Sequence, residues 1–198
     1  EHGTVKAFFL SAVGWWVAGN VAGLIASVQL VAPDLLGNIA IIVFGRIRQV
    51  HTNLIMFAFV GTGLLGAAHY MVPVLVRAPL YSERLGKIIL WLWNLALAAG
   101  VVTLSLGYTQ NREYAEFIWP IDIAVLIAFA LMFYNLLETI KRRQENILYV
   151  SVWYIFGGVI FTFFTYLFGN AVWHPESGSL TGMPDAILAW FYGHNILG

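Results

Sequence analysis

GRIRQVHTNLIMFAFVGTGLLGAAHYMVPVL, residues 45–75, decides how this chain is read. Arg46 and Arg48 stand just ahead of His51, and beyond Asn53 the stretch is almost wholly apolar. A bilayer's hydrocarbon core takes about 20 apolar residues of helix. The run meets that length, and it carries an ionisable imidazole at its mouth.

The rest of the chain agrees with lipid as its solvent. Of 198 residues, 60% are hydrophobic and 10% charged, and the mean hydropathy is +0.79. A soluble domain of this size needs more charge to cover its surface. There is no cysteine, which excludes disulfides, thiolate metal sites and thiol catalysis. The net charge of +0 argues against nucleic acid as a partner. Site chemistry is therefore sought among five histidines and ten carboxylates.

Segments at roughly 6–32, 51–76, 87–108, 118–140 and 147–170 each reach spanning length. Turn-forming stretches such as APDLLGN, VRAPLYSERLGK, YTQNREYAE and KRRQEN separate them. A sixth apolar run, DAILAWFYGHNILG, follows the polar HPESGSLTGMPD and stops short of a span. The expectation is an all-α polytopic bundle: one transmembrane domain over 1–198, forming the N-terminal part of a longer subunit. The first apolar segment is too long for a signal peptide and lacks a small-residue cleavage site. Lys6, Arg77, Arg84, Lys87, Lys141, Arg142 and Arg143 fall on the side of the N-terminus; Arg46, Arg48 and Arg112 fall on the other. Basic residues favour the cytoplasmic side, so the N-terminus is expected in the cytoplasm. His51, Glu113 and the start of the sixth helix then gather at the outer face.

Ionisable groups within a membrane are functional hypotheses by default. A neutral imidazole keeps one nitrogen lone pair free and is the usual axial ligand of haem iron. His51 has that capacity, with Arg46 and Arg48 placed to pair with haem propionates. An interfacial histidine bonded to a neighbouring carbonyl is the competing reading, and on spacing alone the two are equal. His194 lies about 15 Å below the start of its helix at 1.5 Å per residue, too deep to reach the surface, which favours metal ligation or a polar network. His69 reads as a structural hydrogen bond, His174 as solvated beside Glu176, and His2 as terminal. Glu113 and Glu116 share a face if their turn is helical; they suit a hard cation such as calcium, a hydrogen bond to a haem edge, or simple capping. Asp122 is expected at the interface. Asn20 and Gln29 are candidates for bonds between helices, and the dispersed glycines for helix contacts. The dense aromatics read first as interfacial anchors.

Three motifs in order, RIRQVHTN, LSLGYTQNREYAEFIWPIDI and DAILAWFYGHNILG, together resemble the N-terminal half of the catalytic subunit of cbb3-type cytochrome c oxidases, the C family of haem–copper oxidases. The likeness runs from about residue 44 onward. It implies that His51 ligates low-spin haem b, and that His194 ligates the copper facing a high-spin haem. It implies that Glu113, with Glu116 beside it, is associated with a calcium ion bridging haem propionates. The implied activity is reduction of oxygen to water with electrons from cytochrome c, coupled to proton uptake, in a bacterial inner membrane. The implied partners are further oxidase subunits, including c-type cytochromes. Nitric oxide reductases share the HTN helix and an aromatic–proline stretch like HYMVP, but use a non-haem iron with a glutamate four residues after the distal histidine. Here that position is Gly198, and a missing carboxylate favours copper over iron. A reductase-like subunit remains one alternative. A non-catalytic membrane subunit or transporter, with both histidines structural, is another.

Overall fold

The computed structural model describes residues 3–110, 112–173 and 180–197. His2, His174, Glu176 and Gly198 lie outside the described residues. Within them the chain is helical, without strands. We number the helices α1 Gly3–Val31, α2 Phe44–Val76, α3 Glu83–Leu106, α4 Trp119–Lys141, α5 Val150–Gly169 and α6 Met183–Leu197. The first five are long and apolar enough to cross a membrane, as their sequence predicts. With the sixth they form a polytopic transmembrane bundle.

Local chemistry sets the ends. The Ser82 hydroxyl accepts the Leu85 amide at 3.1 Å and caps α3. Gly107 closes that helix at φ +93°, a left-handed conformation that glycine adopts without a Cβ penalty. Pro120 sits in the first turn of α4, where its missing N–H costs nothing. α2 is longer than the apolar run alone suggests. It begins at Phe44, with both arginines already helical, and Leu54–Gly61 winds as a π-helical segment within it.

α1 packs along α2 and touches α3, while α3, α4, α5 and α6 pack each on the next. Half of the apolar window of α4 is buried, against 22% in α1 and 17% in α5. α4 is therefore the axis, and α1 and α5 offer broad faces to lipid. Leu10, Leu24, Trp91, Leu95 and Phe161 are among the exposed apolar side chains. Trp93, Leu97, Met132, Leu136 and Tyr166 fill the centre. Trp93 donates its indole N–H to the Thr62 hydroxyl at 2.9 Å, which satisfies the one polar atom of a buried ring.

At the end of the bundle carrying the basic connections, the α4 terminus grips the turn between α2 and α3. Asn135 Oδ1 accepts the Ser82 amide at 3.1 Å, and the Thr139 hydroxyl accepts the Tyr81 amide at 2.9 Å. The Gln144 amide donates to the Val76 carbonyl at 3.0 Å, Arg77 pairs with Glu145 at 2.9 Å, and the Arg142 guanidinium lies 4.4 Å over the Tyr81 ring.

Candidate functional site at the His51 end of the bundle

The helix bearing His51 lies in a notch on α1. His51 is half-buried, and its Nδ1–H donates to the Gly19 carbonyl at 2.8 Å. That bond assigns the proton to Nδ1 and leaves the lone pair on Nε2, because a carbonyl can only accept. A ligating imidazole usually donates its other ring N–H in this way. The notch exists because two glycines stand one turn apart. A Cβ on Gly23 would lie 2.7 Å from His51 Cε1 and Nδ1, and one on Gly19 would lie 2.8 Å from Ile55 Cδ1. Both readings of His51 thus meet in one geometry: the carbonyl bond is present, and the nitrogen an iron would need is kept free by it. The donor set fits a haem axial position on the α2 side.

The two arginines are placed by neighbours on the same end. Arg46 donates through Nη1 to the Ser105 carbonyl at 3.0 Å, and its guanidinium covers Gly107, where a Cβ would lie 2.8 Å from Nη2. Arg48 lies 3.5 Å from Glu113, with both side chains substantially exposed. Such an exposed pair contributes little, so either partner is available to another group.

The sequence left open whether Glu113 and Glu116 share a helical face. They do not. Tyr114 between them has φ +62°, and α4 starts only at Trp119. Glu113 points to Arg48, whereas Glu116 is 1% exposed and accepts the Asn53 side-chain amide at 2.9 Å. Burial pushes the Glu116 carboxyl up from the ordinary value, partly offset by the Asn53 amide, backbone N–H groups and the Arg48 charge. Asn53 Oδ1 is buried beside it without a hydrogen-bond partner. A carboxylate next to an amide oxygen is chemistry suited to a hard cation.

Asp122 stands in the first turn of α4, and it is fully buried among protein groups. Its Oδ1 accepts the Tyr166 hydroxyl at 2.7 Å and its Oδ2 accepts the Gln110 side-chain amide. Arg112, also buried, pairs with Asp185 in the first turn of α6 at 3.1 Å.

His194 lies on an exposed face of α6, its ring 6.4 Å from that of Trp190. Tyr192, two residues before it, is fully buried against α5. Successive helical residues differ by about 100°, so the two side chains point to opposite sides and His194 faces away from α5. Among the described residues, no three His, Cys, Asp or Glu side chains converge as a ready metal site. His69 is buried and donates from Nδ1 to the Leu65 carbonyl at 2.8 Å, stacked on Phe8 at 4.9 Å; the structural reading fits it. Gln29 bonds across to the Ile42 carbonyl at 2.9 Å, but among the described residues Asn20 bonds within its own helix, at the Trp16 carbonyl.

Sequence reasoning passed over Gly19, Gly23, Asn53, Arg112 and Tyr166. The small-residue spacing in GNVAG (19–23) was a readable sign of close helix approach. Nothing local marked Tyr166.

Comparison with known proteins identifies the family. The family model described as cytochrome c and quinol oxidase polypeptide I matches residues 3–198. Subunit CcoN1 of the cbb3-type cytochrome c oxidase of Stutzerimonas stutzeri is 34% identical, over 100% of this chain and 43% of its own length. Cytochrome c oxidase subunit 1 of Rhodobacter capsulatus is 30% identical, over 99% of this chain and 38% of its own length. A nitric oxide reductase polypeptide of Stutzerimonas stutzeri is 27% identical, over 98% of this chain and 41% of its own length. The chain thus spans about two fifths of the length of these relatives. A match over almost every residue, on a bundle with these helices, means that the chain belongs to the cytochrome c and quinol oxidase polypeptide I family of membrane proteins.

Proposed function

We propose that this chain is the N-terminal part of the catalytic subunit of a terminal respiratory oxidase of the cbb3 type. Its whole subunit takes electrons from cytochrome c and reduces oxygen to water with proton uptake. The observation that carries the reading is the His51 notch. A half-buried imidazole is held by the Gly19 carbonyl with its Nε2 lone pair free, as an axial ligand of low-spin haem b requires. In this reading Arg46 and Arg48 turn toward the haem propionates, the groups for which Arg forks are suited. His194 would supply one ligand to the copper of a centre that also holds a high-spin haem, and those metals would supply the redox chemistry when bound. Glu116, with Asn53, and Glu113 offer oxygen ligands to a calcium ion, Glu113 by exchanging Arg48 for the cation. Further haem and copper ligands would be supplied by the rest of the subunit, and c-type cytochromes would be partner subunits. The N-terminus lies in the cytoplasm of a bacterial inner membrane, by the distribution of its basic residues.

A second reading, a reductase-like subunit with a haem and a non-haem iron, has the 27% identical nitric oxide reductase polypeptide in its favour. Gly198, where that reading wants a carboxylate, speaks against it. Metal analysis and difference spectra of the full-length subunit in its complex separate the two. Copper with oxygen turnover supports the oxidase. Iron in excess of haem, no copper and nitric oxide consumption support the reductase. A colourless, metal-free complex overturns both. His51→Ala is expected to remove the low-spin haem bands; His194→Ala is expected to spare them and abolish oxygen turnover.

A further inference from the structure

One buried ring joins the helices that carry the two proposed ligand histidines. Tyr166 of α5 is almost fully buried. It stands edge-on to Phe57 of α2 at 5.8 Å and 85°, and to Tyr192 of α6 at 6.2 Å and 83°. It also meets Phe129 of α4 at 6.3 Å. Aromatic edges of this kind hold direction as well as area. Among the described residues, the ring is oriented by a single polar contact of its side chain, the 2.7 Å bond its hydroxyl donates to Asp122. Asp122 is itself fixed from the other side by Gln110, which also donates to the Phe117 carbonyl.

α6 rests on this ring through Tyr192. The seat is tight: a Cβ on Gly169 would fall far inside van der Waals contact with Tyr192 Cδ2. Because Tyr192 and His194 leave the helix on opposite sides, any rotation or lift of α6 at Tyr192 is carried to His194. The Arg112–Asp185 pair anchors the first turn of α6, so the contact at Tyr192 is what fixes the helix at the depth of His194.

We propose that Asp122 is a positioning residue for His194: by holding the Tyr166 hydroxyl it sets the ring on which α6 seats, and so the direction in which the His194 imidazole points. This rests on the reading of His194 as a distal-metal ligand. Asp122 touches no metal or substrate here; it acts through Tyr166 and Tyr192.

Two substitutions perturb the Asp122–Tyr166 contact, one from each side. In Asp122→Asn the carboxylate that accepts from both Tyr166 and Gln110 becomes an amide with one acceptor and one donor group. With the amide oxygen kept on Gln110, the Tyr166 hydroxyl meets an N–H and turns from donor to acceptor, exchanging a charge-assisted bond for a weaker neutral one of different direction. Tyr166→Phe keeps the ring and removes only the hydroxyl. The assay is the full-length oxidase complex with carbon monoxide as an infrared probe of the distal metal, alongside the low-spin haem spectrum and oxygen turnover. Both variants are expected to keep the low-spin haem bands, to shift or broaden the distal-metal carbon monoxide band, and to lower turnover about tenfold, since misplacement of reacting groups by about 1 Å can cost a hundredfold. Gly169→Ala, which displaces Tyr192 without touching Asp122, is expected to reproduce the altered band. Three results overturn the proposal: an unchanged band in Asp122→Asn and Tyr166→Phe; an unchanged band in Gly169→Ala; or low-spin haem lost in step with the distal signal, which marks a general scaffold role. If the unsubstituted complex binds carbon monoxide at no distal metal, the reading of His194 fails instead.

Discussion

Gly23→Ala is the sharpest perturbation of the His51 notch. The new methyl carbon would lie 2.7 Å from His51 Cε1 and Nδ1 and 3.3 Å from Nε2. Carbon atoms settle at about 3.5–4.0 Å, so the ring must retreat by about 1 Å. The 2.8 Å bond from Nδ1 to the Gly19 carbonyl then opens past the ~3.5 Å at which a hydrogen bond is no longer made. Its net contribution to stability is about 1 kcal/mol. The larger effect falls on the ligand: losing the partner of a ligating imidazole weakens metal affinity by about 10–100-fold. The assay is haem content per subunit and the reduced-minus-oxidised spectrum of the full-length complex, with Gly14→Ala as control. Gly14 lies on the same helix, and a Cβ there meets nothing within 4 Å. Gly19→Ala should be milder than Gly23→Ala, because the atom it meets first is the free end of Ile55. A Gly23→Ala complex with full low-spin haem content and an unshifted spectrum would refute the role given to this notch.

The other expectations concern the same end of the bundle and the bundle's centre. The Glu116 carboxyl is raised by burial, so its charge costs stability above the raised value; that cost fades as pH falls through it and is gone below the ordinary carboxylate range. Glu116→Gln keeps an acceptor for Asn53, and in the presence of a calcium chelator its Tm advantage over the unsubstituted protein should therefore be largest at high pH and close on acidification. Asp185→Asn removes the carboxylate charge opposite the buried Arg112, and should cost about 1–3 kcal/mol in denaturation, below the ~3–5 kcal/mol of a wholly buried pair because Asp185 is partly exposed. Trp93→Phe leaves the buried Thr62 hydroxyl without its indole donor; a fall in stability of about 1–2 kcal/mol is expected, with the haem spectrum unchanged.

The number of helices was legible because crossing a bilayer demands a length that no other part of this chain reaches. The start of α2 was not. Arg46 and Arg48 look like a polar connection in sequence, yet the Ser105 carbonyl and Glu113, both distant in the chain, let them stand inside a helix. The burial of Asp122 was hidden for a related reason. Two residues after Pro120 it reads as interfacial, and the partners that let it be buried there come from a loop and from α5. The relation between Glu113 and Glu116 turned on the positive φ of Tyr114, which nothing in REYAE announces. His51 was legible as an exception, an imidazole at the mouth of an apolar run. Its carbonyl partner was not, because a backbone atom has no letter in a sequence.

The π-helical segment Leu54–Gly61 has a consequence for chain length at this point. A wide turn of this kind is how a helix absorbs an additional residue without losing its continuity. Removing one residue between His51 and Thr62 would let α2 close into uniform α-helix. The lost residue and the tighter winding then offset each other, so Thr62–Val76 would keep nearly their present faces; wound as α-helix at its present length, the segment would instead swing them by about 100° relative to the histidine. His69 would leave its place against Phe8, and Thr62 its place against Trp93, for faces that now meet lipid or other helices. The length of this segment is thus a phase setting: the two halves of one helix carry separate sets of neighbours, and a single-residue deletion here is expected to be tolerated better than one elsewhere in α2, where no wide turn can take it up.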